Sequence, residues 1–272
     1  MELVSVVIPT YNSSRTIENC LISIHNQDYP NIEIIVVDNF STDSTFEIAE
    51  KYADLPLQKW PERTAQKNLG IEKASGKYIC FIDSDMSLAP DVISECVTLF
   101  ESSKNIGGIA IPEKTVGEGF FVKVRDFERS FYTGTDIESA RFFLAEDVRK
   151  VWGFEEDLIF FEESLLPQKI EKLGKSTKNA IKKYIAHDES NITLGKWLKK
   201  KYYYGRSMNQ YKKRVREIGI RETAETQTRV IPRVMIFLWN KNFYTHPILA
   251  ISTLGLKGLE FWSWAVGLLT KR

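Results

Sequence analysis

Two aspartates, Asp83 and Asp85, stand one residue apart in "FIDSDM" at the close of an apolar run. Adjacent carboxylates are costly at a strand end unless a cation or hydrogen-bond donors compensate them. Hard divalent ions take oxygen ligands, and magnesium bridges a carboxylate to substrate phosphates while keeping several waters. Asp83-Ser84-Asp85 therefore suits a metal–diphosphate site. A solvated turn with Asp85 capping the next helix is the competing reading, and D-x-D alone is too short to choose between them. Two more polar clusters follow apolar runs in the same way: Thr10-Tyr11-Asn12 after "LVSVVIP", and Asp38-Asn39 at the end of "IEIIVVD".

These clusters need elements that bring them together. Residues 3–9, 32–38 and 77–83 are near-continuous apolar runs, which predict strands, with a shorter one at 55–60. Between them lie stretches with helical spacing, at 13–26 (Ile17, Leu21 and Ile24 on one face, Ser13 or Ser14 as cap), from a cap at Ser44 to Tyr52, and at 64–75. Such alternation predicts an α/β fold with a mainly parallel sheet covered on both faces. Ligands then bind beyond the carboxyl ends of the strands, and all three polar clusters fall at that edge. From about residue 112 the pattern turns irregular, with "VGEGF" reading as a mobile loop, and helical text resumes around 155–173 and from 193.

The 272 residues, 43% of them hydrophobic, suffice for a full core, and 37 basic against 36 acidic residues argue against a dedicated nucleic-acid binder on global charge. Cys20, Cys80 and Cys96 form no CxxC pair and read as reduced core residues of a cytosolic protein. The opening run lacks the basic start and length of a signal peptide, and no uninterrupted apolar stretch reaches the roughly 20 residues of a membrane span.

Three blocks in order carry a family resemblance: "VSVVIPTYNSSRTIENCLISIHNQDYPNIEIIVVDNFSTDST", "QKNLGIEKASGKYICFIDSDM" and "VWGFEEDLIFFEESLLPQKIEKLG". Over residues 3–190 the chain resembles the inverting family 2 glycosyltransferases of GT-A fold. The resemblance implies a Rossmann-like catalytic domain at 1–190, with a nucleotide-binding half to about 111 and an acceptor half at 112–190. It implies transfer of a sugar from a nucleotide-diphosphate donor with Mn2+ or Mg2+. Pro9, Thr10 and Tyr11 match the turn that contacts base and ribose, and Asp38 matches an acidic residue on base or ribose. Asn39 replaces a second aspartate, which leaves GDP or UDP open as the donor nucleotide. Lys67 stands where the family has arginine and would offer its charge to a phosphate, without a bidentate fork. Asp83 would reach the ribose and Asp85 the metal, with His187 of "YIAHDES" beside it. Glu162 and Glu163 align with the family's E-D pair, so Glu163 takes the place of the catalytic aspartate. The competing reading of this stretch is an acidic helix start favoured by the dipole; with an already ionised lipid phosphate as acceptor, Glu163 would only position. Trp152 and Phe154 pack either under an acceptor sugar or, on the preferred reading, in the core. A haloacid-dehalogenase-type phosphotransferase also uses D-x-D, but near its first strand and followed by Gly-Thr or Gly-Val, where this chain has Met86-Ser87.

The C-terminal third differs. Residues 196–216 contain no acidic residue and interleave lysine and arginine with Trp197, Tyr202, Tyr203, Tyr204 and Tyr211. Within the basic aromatic segment 191–228, this stretch fits an anionic membrane surface or a loop closing over a diphosphate through Lys201 or Arg206; nucleic acid fits least. The tail 229–272 is apolar but interrupted by Lys241, Lys257 and Glu260, with Trp239, Phe243, Tyr244, Trp262 and Trp264 near the ends of its pieces, as in interfacial belts. A pair of helices lying in the cytoplasmic leaflet, peripheral or monotopic, or a shallow re-entrant hairpin, is expected, against packing on the catalytic domain or on a partner subunit. Together these features predict a hexosyltransferase acting on a polyprenyl-linked glycan or lipid. The alternatives are a polyprenyl-phosphate hexose synthase and a non-catalytic nucleotide-sugar-binding membrane scaffold.

Overall fold

The computed structural model describes residues 1–135, 137–158, 162–220 and 230–270. The chain forms two compact units, Met1–Glu113 with Glu138–Asp188, and Lys114–Ile137 with Glu189–Arg272. Residues 114–137, which the sequence places in the acceptor half of a 1–190 domain, cluster instead with the C-terminal helices.

The first unit follows the expected alternation. β1 (Val4–Thr10), α1 (Ile17–His25), β2 (Ile32–Asp38), α2 (Thr45–Tyr52), β3 (Leu55–Gln58), α3 (Arg63–Lys73) and β4 (Tyr78–Phe81) come in order. β1, β2, β3 and β4 are joined by parallel pairing. β5 (Met86–Leu88), α4 (Val92–Ser102), β6 (Gly108–Ala110) and the start of β7 (Glu113–Val116) come next. The rest of β7 and α5 (Phe120–Arg129) lie in the second unit's first segment; the chain then returns with β8 (Ala140–Leu144), α6 (Ala145–Lys150), α7 (Glu162–Glu171), β9 (Asn179–Ala180) and β10 (Ile185–Asp188). The seven-stranded sheet has the order β3-β2-β1-β4-β8-β6-β9, with β8 antiparallel to both β4 and β6. Separately, β10 pairs with β5.

Strand residues alternate between two cores, as a two-unit side-chain period requires. Val4, Val6, Ile8, Ile34, Val36 and Cys80 face α1 and α4, while Val7, Ile35, Val37, Ile79 and Phe81 face the side of α3 and α6. All three cysteines are free and buried. α3 sits hard against β1: a Cβ on Gly70 would lie 2.3 Å from Val7 Cγ1. That close approach fixes the height of α3, and so where Arg63 and Lys67 emerge. Two caps differ from expectation. Neither Ser13 nor Ser14 caps α1 by its side chain; the Ser13 carbonyl accepts from the Thr16 and Ile17 amides. α2 begins with Ser44 in the cap position but without a side-chain bond, and Asp43 Oδ1 accepts from the Thr45 amide instead.

The second unit is helical: α5, α8 (Leu194–Glu217), α9 (Val230–Leu238), a 3-10 turn (Lys241–Thr245) and α10 (Pro247–Leu269). α8 and α10 touch backbone to backbone, because a Cβ on Gly205 or Gly267 would lie 2.1 Å from the carbonyl oxygen of Trp264 or Tyr202. The basic aromatic stretch lies in α8, and its Trp197 and Tyr211 are core residues of this unit. Phe243, expected at an interface, is likewise buried, among Phe131, Phe237 and Ala250. Among the described residues no helix is long and apolar enough to cross a membrane.

Candidate active site

The parallel register sets the three polar clusters level. Thr10 pairs with Asp38, Asp38 with Gln58, and Val7 with Phe81, two residues before Asp83. Pro9 and Thr10 are buried, while Tyr11 projects into solvent. The Thr10 carbonyl accepts from the Asn39 amide and from Gln66 Nε2, which also donates to the Val37 carbonyl, so α3 staples two strand ends together. Asp38 is 0% exposed. Its carboxylate accepts from the Ser41 amide at 2.8 Å, the Ser41 hydroxyl and, at 3.4 Å, Gln58 Nε2. Asp38 thus shapes the loop after β2 in this structure. Asn39 Nδ2 donates to the Pro61 carbonyl, which leaves Oδ1 as a buried acceptor with no hydrogen bond.

Beyond β4 the chain turns through Asp83-Ser84-Asp85. Ser84 donates to the Ser13 hydroxyl at 2.9 Å, tying this turn to the one after β1. Asp85 does not cap a helix: α4 begins after Asp91, and the Asp85 carbonyl accepts from the Asp188 amide of β10. His187 Nε2 lies 3.3 Å from Asp85 Oδ2, and its Nδ1 lies 3.3 Å from Glu113 Oε2. Arg141 reaches Glu113 Oε1 at 2.7 Å and Asp83 Oδ2 at 3.4 Å. Asp83 Oδ1 is buried and accepts no hydrogen bond; Arg63 Nη1 stands 3.8 Å away.

The chemistry of this donor set can be weighed against a divalent cation. Among the described residues no group of three His, Cys, Asp or Glu converges as a ready ion cage. Asp85 beside His187, with an underused Asp83 oxygen nearby, fits an ion that takes one or two protein ligands and completes its shell with phosphate oxygens and water.

The second acidic pair starts α7. Glu162 is buried and ion-paired with Arg63. The Glu163 side chain keeps 29% exposure. Its Oε1 receives Lys67 Nζ at 2.8 Å, and Arg63 Nη1 lies 3.8 Å away. Lys67 is 1% exposed and also lies over the Phe154 ring, 5.0 Å from its centroid. The lysine that the resemblance assigns to a donor phosphate is thus bound to Glu163. Burial would raise the Glu163 carboxyl, but Lys67, Arg63 and Arg141 hold it well below the usual carboxylate range.

Around this pair, Asn68 and Phe154 exchange backbone–side-chain hydrogen bonds at 2.9 and 3.0 Å. Gly153 has φ +60°, and a Cβ there would meet Asn68 Oδ1 at 2.6 Å. Phe154 is core as expected, but Trp152 is 89% exposed with φ +62°, which corrects the core reading for that residue. Sequence reasoning missed Arg63, Glu113 and Arg141. Arg63 had a usable signal, since it lies four residues before Lys67 and thus on the same helix face. Glu113 and Arg141 had none, because their partners are distant in sequence.

The comparisons agree with this architecture. Residues 5–153 match the family Glycosyl transferase family 2. An uncharacterized glycosyltransferase of Haemophilus influenzae is 36% identical over 104 residues, covering 35% of this chain and 41% of that protein. The chain therefore spans less than half the length of that relative. Among solved structures, a mannosyltransferase from Pyrobaculum calidifontis in complex with GDP-Man and Mn2+ superposes with a TM-score of 0.65 at 19% identity, covering 98% of this chain and 87% of that one. TarS 1–349 of Staphylococcus aureus in complex with UDP-GlcNAc gives 0.55 at 22% identity, covering 76% and 66%. These two share the mainly parallel sheet flanked by helices, the GT-A arrangement. With more than half of its length matched, the chain belongs to glycosyl transferase family 2.

Proposed function

We propose that this chain transfers a hexose of the mannose or glucose type from a GDP- or UDP-sugar to a membrane-located acceptor, such as a polyprenyl-linked glycan or lipid, with inversion at the anomeric carbon. The observation that carries this reading is Glu163: a carboxylate held ionised by cations, on a partly exposed side chain, sharing Arg63 with Asp83 of the D-x-D turn. In the reaction Glu163 takes the proton of the acceptor hydroxyl. The hydroxyl oxygen then forms the bond to the anomeric carbon as the bond to the donor diphosphate breaks, and the diphosphate leaves with that electron pair. Attack from the face opposite the leaving group turns an α-linked donor into a β-glycoside. Mn2+ or Mg2+ at Asp85, with His187 and Asp83 beside it, would supply Lewis-acid charge to the leaving group. Asn39 Oδ1, an acceptor without a donor, suits an N–H of the base. The GDP-Man and UDP-GlcNAc complexes of the two structural neighbours support a nucleotide-sugar donor.

The test is Glu163→Gln with GDP-mannose and UDP-glucose, each with and without Mn2+. Turnover should fall on the order of 10²–10⁴-fold, while donor binding, read by thermal shift, is kept. Unchanged turnover removes the base assignment, and no stabilisation of the parent by any donor removes the transferase reading.

The place of action is the cytoplasmic face of the cell membrane. Ile248, Ile251, Leu254, Leu259, Phe261 and Trp262 of α10 are all exposed, Ile251 at 71% and Trp262 at 67%, and none is charged. Large contiguous apolar patches mark protein or membrane contacts. Full-length protein should float with anionic vesicles, and the double variant Ile251→Asp/Trp262→Asp should not. Equal flotation of both would detach this helix from the proposal.

A further inference from the structure

This inference rests on the reading of Glu163 as the base and concerns what governs it. Glu163 uses its two oxygens unequally. Oε1 faces both cations, Lys67 at 2.8 Å and Arg63 at 3.8 Å. Among the described residues Oε2 receives no donor. Glu163 also lines a small cavity with Lys67, Phe81, Ser139, Arg141 and Phe154. An ion pair that served folding alone would be expected to fill both oxygens, because buried ion pairs repay their desolvation only when remaining lone pairs are satisfied. Here the buried partner is the lysine, at 1% exposure, whereas the Glu163 side chain is 29% exposed and its two cations both meet Oε1.

We propose that Lys67, with Arg63, is a positioning residue for Glu163: the two cations grip one carboxylate oxygen, aim the other at the acceptor hydroxyl, and set how readily it takes a proton. The groups facing Glu163 are Lys67 and Arg63 from α3, Arg141 from β8, and Glu162 on its own helix, which Arg63 neutralises. A carboxylate held by cations stays ionised in mild acid. Being a weak base, it accepts the proton late, once the attacking oxygen has begun to bond to carbon and has become acidic. The lowered carboxyl described above agrees with this.

The test is the pH dependence of kcat/KM, which reports groups of the free enzyme. The parent should hold its value down to about pH 5. In Lys67→Met the acid limb should move up by about one unit or more, as expected on losing an opposite charge within hydrogen-bond reach. Donor affinity should change less than about threefold, a limit well below the tenfold step of 1.4 kcal/mol. Lys67→Arg, which keeps the charge, should restore the limb. Arg63→Gln, at a partly exposed site, should shift the limb in the same direction by less and covers the case in which Lys67→Met does not fold. Carboxyl carbon NMR, with the Glu163 signal assigned by its loss in Glu163→Gln, should show the same displacement without turnover. A limb and a carboxyl titration unmoved in folded Lys67→Met and Arg63→Gln overturn the inference. If Glu163→Gln is inactive, that result leaves the base reading standing; if Glu163→Gln is fully active, the base reading itself fails.

Discussion

Around the strand ends of the first unit, Arg63, Lys67 and Arg141 face Asp83, Glu113, Glu162 and Glu163. Within the helical unit, Arg125, Arg129 and Lys257 face Glu128, Glu189 and Glu260. The ingredients are alike, yet the second set is closed. Glu128 accepts from Arg125, Lys257 and, at 2.5 Å, the Tyr132 hydroxyl. Glu189 accepts from Arg125 and Arg129. Glu260 accepts from Lys257 and, at 2.5 Å, the Trp197 indole, whose ring also lies under the Arg125 guanidinium at 3.9 Å. In the first set, Asp83 Oδ1 and Glu163 Oε2 are acceptors without a hydrogen-bond donor among the described residues. Unspent acceptor capacity, rather than the number of charges, is what separates the two sets, and it is the feature expected of a candidate ligand site.

The sharpest way to break this contrast is to remove one carboxylate from each set. Glu128→Ala leaves the buried Arg125 and the half-buried Lys257 each short of a partner and should cost about 3–5 kcal/mol in chemical denaturation. Glu113→Ala, where Arg141 keeps Asp83 and solvent is nearer, should cost about 1–3 kcal/mol. Equal losses would mean that the two networks serve the same purpose. A smaller effect sharpens the comparison through pH. Burial, together with Lys257 and Arg125, outweighs Glu260 and pulls the Lys201 ammonium down to about 8. Below that value Lys201 is charged folded and unfolded; between about 8 and its unfolded value near 10.4 only the unfolded chain keeps the proton. Stability should therefore rise with pH in this window, by about 1 kcal/mol at pH 9 relative to Lys201→Met, read from paired melting curves. Parallel curves for the two proteins would place Lys201 outside the closed set.

The first unit was legible where the pattern was locally strong. The runs ending at Pro9, Asp38 and Asp83 predicted parallel strands because burial on both faces leaves a continuous apolar signature. β8 escaped, since "ARFFL" is short, antiparallel and carries Arg141. α5 escaped because "FFVKVRDFER" has inward-facing Arg125 and Glu128, so its buried face does not look apolar. At the candidate site, Asp83 and Asp85 could be named from type and place at a strand end, whereas Glu163 and His187 could be named only through the family resemblance. That Lys67 lies on Glu163, 96 positions away, could not, because an ion pair across the fold has no periodicity to betray it. Trp152 was misread since glycine next to an aromatic suggests packing, whereas here both residues take positive φ and the indole points outward.

The reversed direction of β8 bears on how the site keeps its dimensions. Strands that finish at the edge deliver Asp38 and lead into Asp83, while one that begins there delivers Arg141. Opposite charges are thus mounted on neighbouring rails of one ladder. The gap between them is metered by the sheet's own repeat, about 4.8 Å per strand.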